Sequence, residues 1–147
     1  MPDISASIGI HQLRKVNQFY ELRKRYATMY DEAFKKFPEI ETLVARSYAK
    51  PAYHIYIIAL RLDRLTISRD RFVDEIQARG IGVGVHYVGL HLQPFYRKEF
   101  HTQPEDYPVA TDYSERVLTL PLYPKMTAED VNRVIDAVSD IINRSRQ

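Results

Sequence analysis

The sequence predicts an α+β domain, in which a long N-terminal helix precedes a small antiparallel sheet with helices packed on one face. Three patterns lead to this prediction. Apolar residues recur near helical spacing over residues 3–37, a near-continuous apolar run occupies residues 53–62, and a capped amphipathic pattern begins at Thr127. At 147 residues the chain has the size of one domain with a single core.

The N-terminal pattern predicts one helix over residues 3–37, because no proline occurs before Pro38. A helix of about 34 residues extends roughly 50 Å, whereas a compact chain of this size has a radius of gyration of about 15 Å. The helix is therefore expected to project beyond its own domain, and its apolar first turns need a partner, so we expect self-association through it. The apolar positions are Ile4, Ile8, Leu13, Val16, Tyr20, Tyr26, Tyr30 and Phe34.

The middle of the chain is predicted to alternate strands with a short helix. The run YHIYIIALRL at residues 53–62 favours a buried strand, in which His54 is expected to be a hydrogen-bonded core residue. Ser68 is a suitable N-cap for a helix that stops at Gly80, and Ile81–Tyr87 is predicted to be a second strand. A loop with one turn of helix near residues 95–100 is expected to follow.

The C-terminal part is predicted to hold two further helices and a short strand. A helix over Val109–Arg116 leads into a strand over Leu118–Leu120. Thr127 and Asp130 have the spacing of a capping pair at the start of the last helix. The buried stripe predicted for that helix consists of Val131, Val134, Ile135, Val138, Ile141 and Ile142.

Composition and charge exclude several classes of protein. The 21 basic and 19 acidic residues are mixed along the chain, without the basic stripe that nucleic-acid binding favours. The chain has no cysteine, so disulfides and thiolate metal sites are excluded. Ile55–Leu60, the longest apolar stretch, is too short to span a bilayer, and the N-terminus has no signal-peptide pattern. We therefore expect a cytoplasmic protein that binds neither nucleic acid nor membrane.

The candidate contact residues concentrate in GIGVGVHYVGLHLQPFY, residues 80–96. If Ile81–Tyr87 is extended, Gly82, Gly84 and His86 share one face, a bare strip of backbone that ends in an imidazole. Glycines inside a strand mark close approach by a ligand or another backbone, and admission of a bulky side chain from a packed helix fits equally well. His86 and His91 have no nearby carboxylate to complete a ligand triad, so no metal site is predicted.

Five segments, taken in chain order, resemble the C-terminal third of the DegT/StrS-type sugar aminotransferases. That family is similar throughout to the fold-type I enzymes that depend on pyridoxal phosphate. The resemblance covers nearly the whole chain. The segments are MPDISASIGIHQL at residues 1–13, RKRYATMYDEAF at 23–34, YHIYIIAL at 53–60, RDRFVDEIQARGIGVGVHYVGLHLQPFYRKEF at 69–100, and YPVATDYSERVLTLPLYPKMTAEDVNRVIDAV at 107–138.

The resemblance implies that residues 38–147 form the small C-terminal domain of such an enzyme and that residues 1–37 form the helix that bridges its two domains. Enzymes of this type are pyridoxal-phosphate-dependent homodimers. They transfer an amino group, usually from glutamate, to a keto group of a nucleotide-linked sugar, for cell-surface polysaccharide or secondary-metabolite sugars. The large domain, which in the family carries the Schiff-base lysine, is absent from this sequence.

That lysine holds and activates the cofactor, so its absence bears directly on activity. None of the seven lysines of this chain has the sequence context of the family's lysine. We therefore expect no covalently bound pyridoxal phosphate and no transamination by the chain alone. The lysines are Lys15, Lys24, Lys35, Lys36, Lys50, Lys98 and Lys125.

The start of the chain is informative in the light of the resemblance. In the family, a segment similar to MPDISA follows an Asn-Tyr-Arg-like stretch whose asparagine reaches the cofactor phosphate of the partner subunit. Met1 thus falls within a motif. The resemblance implies a truncated reading frame, an internal start, or a remnant of a longer gene.

The resemblance also implies which residues contact the substrate. His86 matches the histidine of a GVHY-like motif at the mouth of the active site, Tyr87 and His91 flank it, and Gly82 and Gly84 keep that edge open. No catalytic residue is predicted in this chain, and for Tyr87 and His91 loop packing is an equal alternative. Two other functions stay open: a stand-alone interaction or oligomerisation module, and the small subunit of a split aminotransferase.

Overall fold

The computed structural model describes residues 2–147 and confirms the α+β fold. Within those residues, five α-helices surround a three-stranded antiparallel sheet, and three short 3-10 helices occupy Leu62–Arg64, Leu90–Leu92 and Pro104–Asp106. The main elements are α1 (Asp3–Phe34), β1 (Ile40–Thr42), β2 (Tyr56–Leu60), α2 (Arg69–Gln77), α3 (Pro94–Phe100), α4 (Pro108–Arg116), β3 (Val117–Leu120) and α5 (Ala128–Ser145).

The sheet has the order β1–β2–β3, and one of its faces forms the floor of the core. Ile58, in the middle of β2, lies opposite Thr42 on β1 and Leu118 on β3. Because side chains alternate between the two faces of a strand, Tyr56, Ile58 and Leu60 share the core face, and all three are buried. Helices α1 and α2 contact the sheet, and α5 packs against both of them.

Only the C-terminal half of α1 belongs to this core. Tyr26, Tyr30 and Phe34 are buried. The Tyr30 hydroxyl donates a hydrogen bond of 2.9 Å to the carbonyl oxygen of Pro121, so the helix is tied to the chain just after β3.

The N-terminal half of α1 is exposed along the same helical face. Ile8 and Val16 each lie 18 residues, about five helical turns, before Tyr26 and Phe34, and so continue the apolar side of the helix. Ile8 is nevertheless 58% exposed and Val16 is 49% exposed. The expectation that α1 projects beyond its own domain is confirmed.

The predicted caps are confirmed at both later helices. The Ser68 side chain accepts a hydrogen bond from the backbone N–H of Arg71, and Gly80, with φ of 71°, follows the end of α2 in a conformation that favours glycine. At the start of α5, Thr127 and Asp130 form a reciprocal capping box. These local signals therefore place the helix ends correctly.

Two sequence predictions about strands were wrong, and one strand was missed. Ile81–Tyr87 is not a strand, because only Gly84 pairs with β3, in an isolated bridge to Thr119. The strand predicted over residues 53–62 is limited to Tyr56–Leu60, and His54 lies outside it and is exposed rather than buried in the core. β1 was not predicted at all, since three residues show no readable alternation.

An ion pair between the buried Glu39 and the half-exposed Arg146 fastens the C-terminus to the residue just before β1. Glu39 is 3% exposed, and its carboxylate accepts hydrogen bonds of 2.7 and 3.1 Å from Arg146. These bonds hold the pKa of the Glu39 carboxyl below its ordinary value of 4.5. Nearby, the backbone N–H of Thr66 donates to the carbonyl oxygen of Ser145, which closes α5 against the loop that precedes α2.

Candidate functional site

The segment that follows α2 crosses the edge of the sheet beside β3. The backbone of Gly84 exchanges two hydrogen bonds with Thr119, of 3.2 and 2.7 Å. Thr119 lies between Leu118 and Leu120, so its side chain points to the face of the sheet away from the core. This pairing brings His86, two residues further along the chain, to that outer face, where its ring contacts the Thr119 side chain.

The imidazole of His86 is held against the sheet by one of its two ring nitrogens. Nδ1 lies 2.9 Å from Oγ1 of Thr119. Nε2 has no hydrogen-bond partner within residues 2–147 and is not fully buried. The ring also passes over Gly84, where a Cβ atom would lie 3.0 Å from Cε1 of His86. A glycine at position 84 therefore leaves room for the imidazole of its own segment.

Tyr87 and Gly82 are solvent-exposed residues next to His86. Tyr87 is 77% exposed, and its ring meets the His86 ring edge-on at 4.9 Å between centroids. A Cβ atom added at Gly82 would have no heavy atom within 4 Å, so this position is open. The predicted residues Gly82, Gly84, His86 and Tyr87 thus lie together in one short segment.

A cavity of about 200 Å³ opens next to His86 on the outer face of the sheet. It is lined by apolar residues of the sheet together with Tyr113 from α4 and Glu41 from β1. Such a mixture of apolar surface and a few polar groups is typical of small-molecule sites. Its other lining residues are Thr42, Leu43, Ile57, Ala59 and Val117.

An arginine network holds the wall of this cavity in place. Arg116, at the end of α4, donates to Glu41 at 2.9 Å and to Asp112 at 2.7 Å, and its guanidinium stacks over the Tyr113 ring at 4.4 Å. Burial alone would lower the pKa of Arg116, but the hydrogen bonds to Glu41 and Asp112 outweigh it, and the pKa is raised. Arg116 stays charged, and α4 is fixed to β1.

His91 occupies a different position from the other predicted residues. It is 7% exposed, and its Nε2 lies 2.8 Å from Oγ1 of Thr111 on α4. Its ring packs against Tyr107 at 5.0 Å between centroids. The backbone N–H of Gly89 donates to Ser114, also on α4. These contacts suit the alternative interpretation, in which His91 packs the loop against α4.

Several residues of the site were not predicted from the sequence, above all Thr119 and Tyr113. One signal for Thr119 was available, since a threonine between two leucines in a short strand must face away from the core. Thr111 and Ser114, three residues apart, share one side of α4 and contact the loop at His91 and Gly89. Neither they nor Tyr113 carry a comparable signal, because a polar residue on a short helix does not show what it contacts.

The lysines of the chain do not fit a pyridoxal phosphate site on their own. A Schiff-base lysine is activated by desolvation or by a nearby cation, yet each lysine within residues 2–147 is exposed. The described chain likewise contains no cluster of three or more histidine and acidic side chains able to hold a metal ion. Over the same residues, no helix has the length and apolar character needed to cross a membrane.

Comparison with known proteins identifies the class to which this fold and site belong. The model of the DegT/DnrJ/EryC1/StrS aminotransferase family matches residues 1–139. The chain belongs to this family, and the resemblance found in the sequence is confirmed. The family is one of pyridoxal-phosphate-dependent sugar aminotransferases.

Two curated relatives match almost the whole chain. An uncharacterized protein of Methanocaldococcus jannaschii is 42% identical over 146 residues, which is 99% of this chain and 38% of the relative. The spore coat polysaccharide biosynthesis protein SpsC of Bacillus subtilis is 33% identical over 143 residues, 97% of this chain and 37% of the relative. The chain therefore spans less than two fifths of the length of either relative.

A solved structure agrees with this assignment. The pyridoxal phosphate form of a protein of Streptococcus pneumoniae, described as "Putative sugar aminotransferase", superimposes with a TM-score of 0.88 at 28% identity. The match covers 98% of this chain and 36% of that protein.

Proposed function

We propose that this chain forms the substrate-side part of a pyridoxal-phosphate-dependent aminotransferase that acts on a keto group of a nucleotide-linked sugar. The reaction would serve the biosynthesis of cell-surface polysaccharide or of a secondary-metabolite sugar. The observation that carries the proposal is the arrangement at His86, which has one nitrogen bound to Thr119 and the other not fully buried, in a ring that lines a cavity beside an exposed tyrosine. Such a group contacts and orients a polar substrate.

The proposed contact surface consists of His86 and Tyr87, with Gly82 leaving the backbone open beside them and Gly84 leaving room for the His86 ring. His91, being buried, supports the same loop from beneath through Thr111. Binding and orientation are therefore the contribution proposed for this domain. When bound, pyridoxal phosphate supplies the chemistry of amino-group transfer.

The domain is proposed to be inactive until it meets a large domain that carries the Schiff-base lysine. Support comes from the exposure of all lysines within residues 2–147, since a Schiff-base lysine is activated by desolvation or by a neighbouring cation. The large domain belongs either to the same polypeptide or to a second chain, as in a split aminotransferase.

Three exposed apolar residues on one side of α1 support the need for a second domain, and we call them the α1 stripe: Ile4, Ile8 and Val16. They are 77, 58 and 49% exposed, and monomeric proteins rarely leave a contiguous apolar patch of large size uncovered. In the proposed arrangement the lysine domain covers the α1 stripe. The same observation favours a second candidate, self-association of this chain through the α1 stripe.

A chimera tests the proposed activity. This chain replaces the matching region of the Streptococcus pneumoniae protein, so that the rest of that protein and the present domain share one polypeptide. Conversion of pyridoxal phosphate to pyridoxamine phosphate by glutamate is followed by absorbance, and a panel of nucleotide-linked keto sugars is then used to reverse it. We expect the chimera to complete both half-reactions and the chain alone to complete neither.

Two histidine variants make the test specific for the site. His86→Ala should lower kcat/KM for the sugar half-reaction by about tenfold or more, the loss of one substrate hydrogen bond. His101→Asn, at an exposed position after α3 where asparagine tolerates the left-handed backbone, is the matched control and should have no effect. Equal behaviour of the two variants, or transamination by the chain alone, would contradict the proposal. Sedimentation of the isolated chain decides the second candidate, because a monomer at all concentrations argues against self-association.

A further inference from the structure

We infer that Thr119 holds His86 in its Nε2–H tautomer, so that the site offers a hydrogen-bond donor and recognises an oxygen acceptor of its ligand. Thr119 is thereby a positioning residue that acts through His86. The tautomer follows from the contacts of the side chains alone. Only the identity of the ligand as a sugar substrate rests on the proposed function.

The Thr119 hydroxyl has a single proton, and the acceptor available for that proton decides the direction of its hydrogen bond with His86. Thr119 is 7% exposed, and within residues 2–147 the only hydrogen-bond partner of its Oγ1 is Nδ1 of His86, at 2.9 Å. If Nδ1 carried the ring proton, Oγ1 would accept it and the hydroxyl proton would be left without an acceptor. Buried donors are almost always paired, so the hydroxyl donates to Nδ1. In the neutral ring the remaining proton is then on Nε2.

A second threonine–histidine pair, Thr111 of α4 and His91 of the loop, has its hydrogen bond in the opposite direction, from histidine to threonine. Thr111 uses its proton to donate to the carbonyl oxygen of Pro104, at 2.9 Å. Its Oγ1 therefore accepts from Nε2 of His91, 2.8 Å away. The N–H of His91 is therefore paired inside the domain, whereas Nε2 of His86 has no hydrogen-bond partner within residues 2–147 and is not fully buried.

The surroundings of the His86 Nε2–H group indicate which kind of ligand it binds. The His86 ring lines the cavity on the outer face of the sheet and meets the exposed ring of Tyr87 edge-on. A neutral N–H donor pairs with keto, hydroxyl or phosphate oxygens and gives no partner to an N–H group. The geometry therefore points to an oxygen-rich ligand such as a nucleotide-linked keto sugar.

Nuclear magnetic resonance of the chain labelled with ¹⁵N-histidine tests the inference without cofactor or substrate. At a pH where the rings are neutral, we expect Nε2 of His86 to carry the proton and the Thr119 hydroxyl proton to correlate with Nδ1. In Thr119→Val the population with the proton on Nδ1 of His86 should rise several-fold, and Thr119→Ser should restore the wild-type pattern. Thr111→Val is the matched control and should disturb His91 while leaving His86 unchanged.

Two results would overturn the inference: a proton on Nδ1 of His86 in the wild-type chain, or a His86 tautomer ratio that Thr119→Val does not change. The His91 signals report whether a variant is still folded, and the wild-type spectrum decides the question even if a variant does not fold. A correct tautomer combined with an inactive chimera would refute the proposed function and leave this inference standing.

Discussion

Replacing Gly89 with alanine tests how tightly the loop after His86 is packed against α4. The backbone φ of Gly89 is −54°, which alanine adopts without strain. The obstacle is steric instead, because a Cβ atom at position 89 would lie 2.6 Å from Cε1 and 2.9 Å from Nδ1 of the buried His91 ring. Carbon atoms in contact are ordinarily about 3.5–4.0 Å apart.

The size of the effect follows from these distances. The His91 ring must retreat by roughly 1 Å to reach an ordinary contact distance, and its 2.8 Å hydrogen bond to Thr111 opposes that movement. Overpacking of this kind, or loss of a buried hydrogen bond, costs about 1–3 kcal/mol. At a central value of about 2 kcal/mol, the melting temperature of a domain of this size should fall by about 4–8 °C.

Thermal and urea unfolding followed by far-ultraviolet circular dichroism measure this change, since the chain has no tryptophan for fluorescence. Gly82→Ala is the matched control, because nothing lies within 4 Å of its added Cβ atom. The control should be neutral or stabilising by up to about 1 kcal/mol, through the lower entropy of the unfolded chain. A Gly89→Ala variant as stable as Gly82→Ala would refute the packing described here for His91.

Two further predictions concern the ends of the fold. Glu39→Gln should destabilise the domain by about 1–3 kcal/mol near pH 7, because Arg146 loses an ionised acceptor. Since the folded-state pKa of Glu39 lies below its ordinary 4.5, this contribution is present above about pH 5 and is lost as the pH falls through the folded-state pKa. Urea titrations of both proteins across that range should converge at low pH, and a gap independent of pH would contradict the role of the ion pair. Thr127→Ala should cost about 1 kcal/mol by removing the cap of α5, whereas an unchanged melting temperature would show that Asp130 caps the helix alone.

The helices could be predicted because their signals are local. Ser68, Gly80 and Thr127 cap or end helices through backbone groups only a few positions away in the sequence. The neighbouring residues are therefore enough to predict these helix ends. The long α1 and its uncovered first half also follow from the spacing of apolar residues and from the length of the helix compared with the size of the domain.

The strands were harder to predict because pairing depends on distant partners. The alternating Gly82-Val83-Gly84-Val85 resembles a strand, yet only Gly84 finds a partner, on β3. β1 exists because Ile40 pairs with Leu60 twenty positions later in the chain. A three-residue strand has too few side chains to show a period, so only tertiary pairing reveals it.

The sequence by itself determined the fold class, the family, the helix caps, and the short segment in which Gly82, Gly84, His86 and Tyr87 lie together. Only the tertiary structure decided what each histidine does, since His86 faces a cavity and His91 is buried beneath the loop. The physical reason is that a side-chain hydrogen bond depends on which surfaces meet. Thr119 and Thr111 are far from their histidines in the sequence and contact them only in the folded chain, so no local sequence pattern predicts those hydrogen bonds.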